Sequence, residues 1–427
     1  MVKTMTRRGF VETAASVTVA SALAGRAVAA NDKIGVAVIG VRGRGNALLQ
    51  SFASQKDVAV THICDVDRDV LERRGAETKS KGHDPKLVKD YRTILNDPSI
   101  DALVIGTPDH WHALPTIEGC LHKKDVYVEK PDGHNIIEGK TMVAAARKYG
   151  RVVQLGTQAR SAPYLREARE YVAKGNLGKV IFGRAWETAK QSAVPRVKDS
   201  HPPDGVDYDL WLGPAPKRPF NANRFHGRWR WFFDYGTGDL GNDGVHRMDY
   251  CRYVMGLDGW FNTVSCSGGK YFFDDAQEWP DTMLVTFDYP GKVLTYEMRI
   301  WSGPKLFDIT EGAAIYGDAG WLLIHNSGWK AFDSRGKLVV EKRGSGGVNH
   351  ALHIRNFLDC VRDRKWQNLA QDIESGHISS VMCHAGNIAW RTGKKLRFNP
   401  ETETFDDKDA NEYLGREYRK GFELPTV

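Results

Sequence analysis

The sequence predicts an α/β protein with a doubly wound parallel sheet, followed by a second α/β domain with a large, open, mostly antiparallel sheet. Between residues 33 and 157, short apolar runs alternate with amphipathic helical segments, the pattern of a parallel sheet built from β-α-β units. After residue 157 the predicted strands are longer and are joined by short turns rich in Gly or Pro, as in an antiparallel sheet. We therefore predict an N-terminal segment 1–30, a first domain 31–157 and a second domain 158–427.

The first domain contains five short apolar runs typical of strands that are buried on both faces. These runs are 33–40, 58–67, 101–107, 125–131 and 151–157. The segment 136–150 predicts a helix because its apolar residues recur at helical spacing. Asn135 provides an N-cap with Glu138 three residues later, and Gly150 provides a stop.

The second domain is predicted to be a strand-rich unit that ends in helices. Its predicted strands are 179–189, 263–273, 281–289, 292–301, 313–325 and 336–342. A stretch rich in proline, 195–219, separates the first of these strands from the others. The predicted C-terminal helices are 350–365 and 374–393.

Composition excludes several classes of protein. The chain has 427 residues and a formal charge of +7, and removing residues 1–30 takes away four basic residues and one acid, which leaves +4. A charge so small and dispersed does not predict a nucleic-acid partner. No apolar run reaches the roughly 20 residues that a membrane-spanning helix needs. The histidines and cysteines form no metal-binding spacing, so no metal site is predicted.

The first 30 residues have the layout of a cleaved export signal, with a basic start, a weakly apolar middle and the ending AVAA. The stretch TRRGFV at 6–11 resembles a twin-arginine (Tat) signal, which predicts export to the periplasm or the exterior through the Tat machinery. The alternative is a disordered N-terminus with a chance Arg-Arg pair. Because the Tat route carries proteins that folded in a reducing cytoplasm, we expect the six widely spaced cysteines to be free and mostly buried.

The stretch GVAVIGVRGRG at 35–45 predicts a strand that runs into a phosphate-binding turn and then a helix. Gly40 and Gly45 fit the first and last positions of the dinucleotide fingerprint, but Arg42 takes the place of its middle glycine and Gly43 follows. We expect Arg42 and Arg44 to add positive charge near a pyrophosphate. The prediction is a dinucleotide site.

Asp65 lies twenty residues after Gly45, at the end of the second predicted strand. An acid at this place binds the ribose hydroxyls and repels a 2′-phosphate, which favours NAD over NADP. The alternative role for Asp65 is a helix N-cap.

Two further stretches carry residues suited to acid–base chemistry. In VEKPDG at 128–133, Lys130 ends a predicted strand, and the following proline imposes an extended or cis geometry. In the stretch 236–256, Asn242, His246 and Asp249 have the spacing of one helix face. The alternative for this helix is a capped helix with a satisfied buried histidine. The stretch RFHGRWRWFFDYG at 224–236 predicts either a sugar-stacking surface or a subunit interface.

These motifs together resemble the Gfo/Idh/MocA oxidoreductases, a family named for glucose–fructose oxidoreductase and inositol dehydrogenase. The resemblance runs from about residue 33 to the C-terminus and rests on the motifs GVAVIGVRGRG, TPDHWH (107–112), EKP (129–131), QLGTQ (154–158) and LGNDGVHRMD (240–249). It implies an N-terminal Rossmann domain that binds the cofactor. It also implies a C-terminal domain that binds substrate and forms a homodimer or homotetramer through its sheet.

The resemblance also implies roles for individual residues. Lys130 would be the catalytic lysine near the nicotinamide and the reacting hydroxyl, and His246 would be the second acid–base group. Thr107, Pro108, His110, Glu129 and Gln158 would line the cofactor, and Arg160 would face the substrate cleft.

One position departs from the family pattern. Many members carry an aspartate where this chain has Asn242, and Asp243 lies next to it. Asn cannot act as a base, so either Lys130 and His246 share proton transfer or Asp243 turns inward.

We therefore expect an exported NAD(P)-dependent oxidoreductase that acts on a sugar, cyclitol or glycoside by hydride transfer. Free NAD is scarce outside the cytoplasm, so the cofactor should be loaded before export and stay tightly bound. One alternative is an NAD-dependent glycoside hydrolase that works by transient oxidation and elimination. A second alternative is a non-catalytic, nucleotide-holding sugar sensor, which Asn242 favours.

Overall fold

The computed structural model describes residues 33–344 and 350–427. In these ranges the chain forms a six-stranded parallel sheet and a ten-stranded mixed sheet, which confirms the predicted fold class. The predicted export signal at 1–30 lies outside the described residues.

The first sheet has the strand order β3-β2-β1-β4-β5-β6, and every neighbouring pair is parallel. Its strands are β1 (Ile34–Ile39), β2 (Val58–Cys64), β3 (Lys86–Val88), β4 (Ala102–Ile105), β5 (Asp125–Val128) and β6 (Val153–Leu155). All six residues of β1 are buried, as the continuous apolar run predicted. Because β1 has β2 on one side and β4 on the other, the strand order reverses there, and a crevice for ligands opens at the carboxyl ends of these strands.

The helices around this sheet are α1 (Gly43–Ala53), α2 (Arg68–Lys79), α3 (Ala113–Leu121) and α4 (Ile136–Lys148). The predicted N-cap of α4 is present, because the side chain of Asn135 accepts a hydrogen bond from the backbone N–H of Glu138 at 3.0 Å. The Glu138 carboxylate accepts from the backbone N–H of His134 at 2.7 Å, so both side chains fix the start of this helix.

The second sheet has the order β14-β13-β12-β11-β7-β10-β9-β8-β15-β16. Its strands are β7 (Val180–Glu187), β8 (Thr263–Gly269), β9 (Thr282–Tyr289), β10 (Lys292–Arg299), β11 (Glu311–Gly317), β12 (Gly320–His325), β13 (Gly328–Asp333), β14 (Leu338–Arg343), β15 (Leu396–Asn399) and β16 (Thr404–Phe405). Only the central pair of β7 and β10 is parallel among its described strand pairs. The predicted strand 313–325 is a hairpin of β11 and β12, since the chain turns between Gly317 and Gly320.

The helices of the second half are α5 (Pro163–Ala173), α6 (Tyr208–Leu212), α7 (Val245–Val254), α8 (His350–Asp363), α9 (Ile373–Thr392) and α10 (Lys408–Asn411). Helix α7 packs on β7 and β11, while α9 packs both on β8 and on α4 of the first half. Fifteen residues of α9 are buried, so this helix forms the centre of the contact between the two halves.

All six cysteines are free, and five of them are buried, as expected for a protein that folds in a reducing environment. Within the described ranges, no helix has the length and apolar character of a membrane span.

Candidate active site

The turn between β1 and α1 depends on two glycines. Gly40 has φ +75°, a left-handed conformation that favours glycine. A Cβ on Gly45 would lie 1.6 Å from the carbonyl oxygen of Gly40, so only glycine lets the helix approach the loop this closely. A Cβ on Gly43 would meet nothing within 4 Å, which leaves open space beside the first turn of α1. The loop thus presents an accessible helix N-terminus, the arrangement that binds a phosphate.

Asp65 holds this loop in place. One carboxylate oxygen accepts from the backbone N–H of Val41 at 2.8 Å, and the other accepts from the backbone N–H of Asp67 at 3.0 Å. Burial raises the pKa of Asp65, although both hydrogen bonds favour its charged form. The alternative role of Asp65 as a helix N-cap is wrong, because Asp67 caps α2 by accepting from the backbone N–H of Val70 at 3.2 Å.

The two arginines of the loop already have protein partners. Arg42 Nη1 donates to Asp67 Oδ2 at 3.1 Å and lies 2.6 Å from His226 Nε2. Arg44 Nε donates to Glu129 Oε1 at 2.8 Å. The expected positive charge therefore lies beside the loop, but carboxylates compensate both guanidinium groups.

A cavity of about 460 Å³ lies at the carboxyl edge of the first sheet. Its floor includes the loop glycines Gly40 and Gly43, and its walls include Asp65 and the pair Thr107 and Pro108. The volume is within the usual range for a bound cofactor, roughly 300–1,000 Å³. We call this cavity the nucleotide cleft.

The aromatic stretch singled out in the sequence covers this cleft. The segment 225–230, which we call the aromatic strap, lines the cleft from the side of the second half of the chain with all of its residues except Arg228. Phe225 packs edge-on against Trp211 at 5.2 Å between ring centroids, and His226 adopts φ +57° beside Arg42. The strap thus lies over the nucleotide cleft, a place that neither of the two sequence interpretations named.

Two other predicted cofactor residues lie behind the cleft. Glu129 is buried, and its Oε1 also accepts from Gln158 Nε2 at 3.1 Å. The same Gln158 nitrogen lies 3.1 Å from the hydroxyl of Tyr127. Glu129 and Gln158, which follow the ends of β5 and β6, are thus hydrogen-bonded to each other, and Glu129 also binds Arg44. This network fixes the orientation of the loop between β1 and α1.

His110 differs in position from the other predicted cofactor residues. Its ring lies between Trp211 and Tyr235, at centroid distances of 5.2 and 5.3 Å, and is not part of the cleft wall. Its Nε2 lies 3.0 Å from the carbonyl oxygen of Trp211. Burial lowers the pKa of His110 to about 3, so this ring is neutral and packs the two halves together.

Lys130 follows β5 at the same edge of the sheet, and its peptide bond to Pro131 is cis. Its Nζ donates to the backbone carbonyl of Asn242 at 2.7 Å and approaches Asn242 Oδ1 at 3.2 Å. No described carboxylate lies within ion-pair distance of this ammonium group. An ammonium has three donors, so one N–H stays available for a substrate oxygen.

Asn242 belongs to a short π-helical segment, Leu240–Gly244, that leads directly into α7. Such segments are rare and are frequently found at functional sites. Asn242 Nδ2 donates to Asp243 Oδ2 at 3.0 Å and to Asp239 Oδ1 at 3.3 Å. Asp243 is thus bound to the amide of its neighbour and does not reach Lys130.

His246 lies one turn further, on α7. It makes no hydrogen bond to any other described residue. Burial lowers its pKa well below the ordinary value, and the positive charge of Lys130 contributes in the same direction. The imidazole is therefore neutral at neutral pH.

A buried carboxyl lies behind Asn242. Asp239 is 1% exposed, and burial together with the charge of Asp243 raises its pKa to about 7. Since Asn242 joins Asp239 on one side and Lys130 on the other, the three side chains form a chain of hydrogen bonds.

Arg160 is not where the family resemblance implied. Its guanidinium is 6% exposed and is bound at both ends to Asp249, with Nε and Nη2 each 2.8 Å from a carboxylate oxygen. Asp249 also accepts from Ser379 on α9 at 2.6 Å. The three residues predicted to share one face of the helix therefore do not act together. Asn242 contacts Lys130, whereas Asp249 is buried and forms an ion pair with Arg160.

Sequence reasoning missed several residues at this site. Asp67 and His226 fix Arg42, and Trp211 supports the strap, but none of the three was predicted in these roles. The available signals were the place of Asp67 at the end of the second predicted strand and the place of His226 in the aromatic stretch 224–236. Within the described ranges, no group of three or more His, Cys, Asp or Glu side chains is arranged to hold a metal ion.

Comparison with known proteins supplies the family. The model described as "Oxidoreductase family, NAD-binding Rossmann fold" matches residues 34–157, and the model described as "Oxidoreductase family, C-terminal alpha/beta domain" matches 179–288 and 348–424. The mouse (Mus musculus) trans-1,2-dihydrobenzene-1,2-diol dehydrogenase is 31% identical over 252 residues, which are 54% of this chain and 72% of that protein. The chain belongs to the Gfo/Idh/MocA oxidoreductase family.

Two further proteins are similar to parts or to most of the chain. A glycosyl hydrolase family 109 protein from Saccharopolyspora erythraea is 31% identical over 166 residues, which are 37% of this chain and 36% of that protein. The alignments thus span only about two-fifths or less of the length of the first curated relatives, 36% and 40%. The crystal structure of aldose-aldose oxidoreductase from Caulobacter crescentus has a TM-score of 0.66 at 16% identity, with 86% of this chain and 100% of that chain covered. This likeness shows the shared fold.

Proposed function

We propose that this protein is an NAD-dependent oxidoreductase that transfers a hydride to or from a sugar, cyclitol or glycoside. The observation that carries the proposal is the position of Lys130. Its ammonium is held by Asn242 at the carboxyl edge of the first sheet, near a neutral His246. Lys130 directly follows Glu129, whose carboxylate accepts from Arg44 in the lining of the nucleotide cleft. Membership of an NAD-binding oxidoreductase family supports the same chemistry.

The cleft fits a dinucleotide in three respects. The loop leaves open space beside Gly43, where a pyrophosphate would approach the N-terminus of α1. Thr107 Oγ1 is buried without a hydrogen-bond partner at the cleft wall. The carboxylate of Asp65 lies where the adenosine ribose would bind, which favours NAD over NADP.

Proton transfer follows from the charges of the two side chains. When bound, NAD would accept the hydride of a substrate carbon. His246 is neutral and takes the hydroxyl proton, whereas the free N–H of Lys130 stabilises the negative charge that develops on the oxygen. Asn242 takes no proton and positions Lys130, so the aspartate of many relatives is not required as the base.

We also propose that the protein is exported with its cofactor tightly bound. The support for export is the twin-arginine signal in the sequence. The support for retention is the aromatic strap, which lies over the cleft and is joined to the loop through Arg42, His226 and Asp67. If this account is correct, Arg42→Gly should lose NAD during dialysis faster than the wild type.

One experiment tests the leading proposal. Purified protein is denatured and its supernatant assayed for NAD and NADP, and native protein is then mixed with a panel of sugars, cyclitols and glycosides without added cofactor. Released NAD and reduction of bound nicotinamide on one substrate would support the proposal. Released NADP would contradict the cofactor preference, and bound NAD with no response to any substrate would favour the non-catalytic sensor.

A second candidate function is an NAD-dependent glycoside hydrolase. The similarity to a glycosyl hydrolase family 109 protein favours it, over 37% of this chain. In this case the same Lys130 and His246 would serve a transient oxidation that ends with the cofactor in its starting state. Release of p-nitrophenol from nitrophenyl glycosides, with no net NADH, would distinguish this function from net oxidation.

A further inference from the structure

A second cavity, which we call the seam cavity, lies where the two halves of the chain meet. It has a volume of about 280 Å³ and shares no lining residue with the nucleotide cleft. The loop after Lys130 contributes His134 and Asn135, helix α9 contributes His384, Asn387 and Arg391, and the C-terminal segment contributes Arg416. Its volume suits a ligand of about the size of a monosaccharide.

Several buried polar atoms of this lining have no hydrogen-bond partner. They are Asn135 Nδ2, His134 Nδ1, His384 Nε2, Asn387 Oδ1 and Arg416 Nη2. Asn135, His384 and Asn387 are each at most 5% exposed. Burying a polar group without a partner costs free energy, about 1–3 kcal/mol for each group. A concentration of such groups around one cavity indicates that a polar ligand completes their hydrogen bonds.

Arg391 adds a cation held in a fixed position. Its guanidinium lies over the rings of Phe233, Trp279 and Tyr413, at 4.0, 4.9 and 5.0 Å from their centroids. No carboxylate of the described chain lies within ion-pair distance of it. The Tyr413 hydroxyl also engages one guanidinium N–H, and the remaining in-plane N–H donors are available for another acceptor.

Arg416 is the second cation of the cavity. Its Nη1 donates to the backbone carbonyl of Asp234 at 3.3 Å, and it forms no ion pair with a described carboxylate. The carboxylate of Asp234, which lines the same cavity, is paired with Arg218 at 2.8 Å. Burial lowers the pKa of His384 to about 4 and that of His134 well below its ordinary value. Both histidines of the cavity are therefore neutral, and Arg391 and Arg416 supply its positive charge.

We propose that the seam cavity binds a small polyhydroxylated carboxylate of the sugar-acid type. The two guanidinium groups provide the forked donors that a carboxylate accepts, and the unpartnered amides and imidazoles provide donors and acceptors for hydroxyl groups. The lining also includes Glu417, and other carboxylates act on both arginines at longer range, but no described carboxylate forms a direct ion pair with either guanidinium. A neutral sugar would bring no such pair, and a lone phosphate would leave Asn135 and Asn387 without partners. The inference does not depend on the proposed oxidoreductase activity.

Isothermal titration calorimetry on the full-length protein, as purified with its cofactor, tests this site. The probes are D-glucuronate, D-glucose as the neutral analogue and inorganic phosphate. We expect glucuronate to bind, and Arg391→Gln and Arg416→Gln each to weaken it at least tenfold, as expected for loss of a charge-assisted hydrogen bond. Arg391→Lys keeps the charge without the fork and should have an intermediate effect.

Matched variants separate this site from the rest of the molecule. Arg419→Gln removes an arginine from the same C-terminal segment, where it pairs with Asp209 at 2.8 Å outside the cavity, and should leave binding unchanged. Lys130→Ala alters the proposed catalytic site and should also leave binding of glucuronate at the seam cavity intact. Melting temperatures measured without ligand show whether each variant is folded.

Four results with the seam cavity itself would overturn the proposal, and a fifth comes from the Lys130→Ala variant. These are no binding of glucuronate to folded wild-type protein at millimolar concentration, equal binding of glucose, binding of phosphate but not glucuronate, or unchanged affinity in the folded double variant Arg391→Lys/Arg416→Gln. Loss of glucuronate binding in Lys130→Ala would assign the ligand to the catalytic site and would also contradict the inference.

Discussion

Replacing His377 with glutamine should make the stability of the protein less dependent on pH. His377 lies on α9 and is 2% exposed. Its Nδ1 lies 2.6 Å from Asp132 Oδ2, and its Nε2 lies 2.8 Å from Glu403 Oε2. Because Asp132 follows Lys130 by two residues, the ion pair of His377 and Asp132 anchors the loop that carries Lys130 to the second half of the chain.

The magnitude follows from the pKa of His377. Burial opposes the charged ring, but Asp132 and Glu403 outweigh it and raise the pKa to about 9, from 6.5. A folded-state pKa above the unfolded value stabilises the protein fully below pH 6.5, and this stabilisation is lost as pH rises through 9. At 1.36 kcal/mol per pKa unit, the contribution is about 3 kcal/mol.

Urea unfolding followed by circular dichroism at pH 6 and pH 9.5 measures this effect. The wild type should lose about 3 kcal/mol relative to His377→Gln between the two conditions, since groups that titrate alike in both proteins cancel. His122→Gln, at an exposed histidine that bonds Asn96, is the control and should show a change below about 0.5 kcal/mol. An equal difference between wild type and His377→Gln at both pH values would refute the assigned role of the ion pair.

Three further predictions concern packing and chemistry. Gly45→Ala should destabilise the fold by more than about 3 kcal/mol, because the new Cβ would lie 1.6 Å from a backbone oxygen. Gly43→Ala should cost only about 1 kcal/mol of backbone strain, because its Cβ would meet no other atom. Urea unfolding that ranks the two variants in the opposite order would contradict the loop geometry. Arg160→Met should cost about 3–5 kcal/mol in unfolding free energy by leaving the buried Asp249 unpaired, and an unchanged midpoint would contradict its structural role. Ellman's reagent should react with at most one thiol, Cys266, in the native protein and with six after denaturation; rapid reaction of several thiols would contradict their burial.

The regular elements of the fold were predictable from the sequence, because burial in a parallel sheet leaves a continuous apolar run and a helix leaves a 3.6-residue period. The loop at Gly40 and the N-cap at Asn135 followed from local backbone chemistry, which acts over a few residues. The choice between Asp65 and Asp67 as the cap of α2 was not predictable, because both acids lie within one turn of the start of this helix and only the course of the chain decides between them.

Long-range pairings were the part that the sequence could not supply. Arg160 and Asp249 are 89 positions apart, and each residue type suits an active site as well as a buried ion pair. The aromatic strap follows a stretch rich in proline without periodicity, so nothing local placed it over the nucleotide cleft. The seam cavity combines a loop, a helix and the C-terminal segment, and its character depends on atoms that lack partners in three dimensions.

The central claim is that Lys130 acts directly at the reacting oxygen, and single-turnover reduction of protein-bound NAD tests it most directly. Protein loaded with NAD is mixed rapidly with the substrate found in the panel, and absorbance at about 340 nm reports the hydride transfer. Lys130→Ala should retain NAD but reduce the rate by at least a hundredfold, a typical contribution of a positioned acid–base group. A Lys130→Ala protein that reduces its NAD at the wild-type rate would contradict the account.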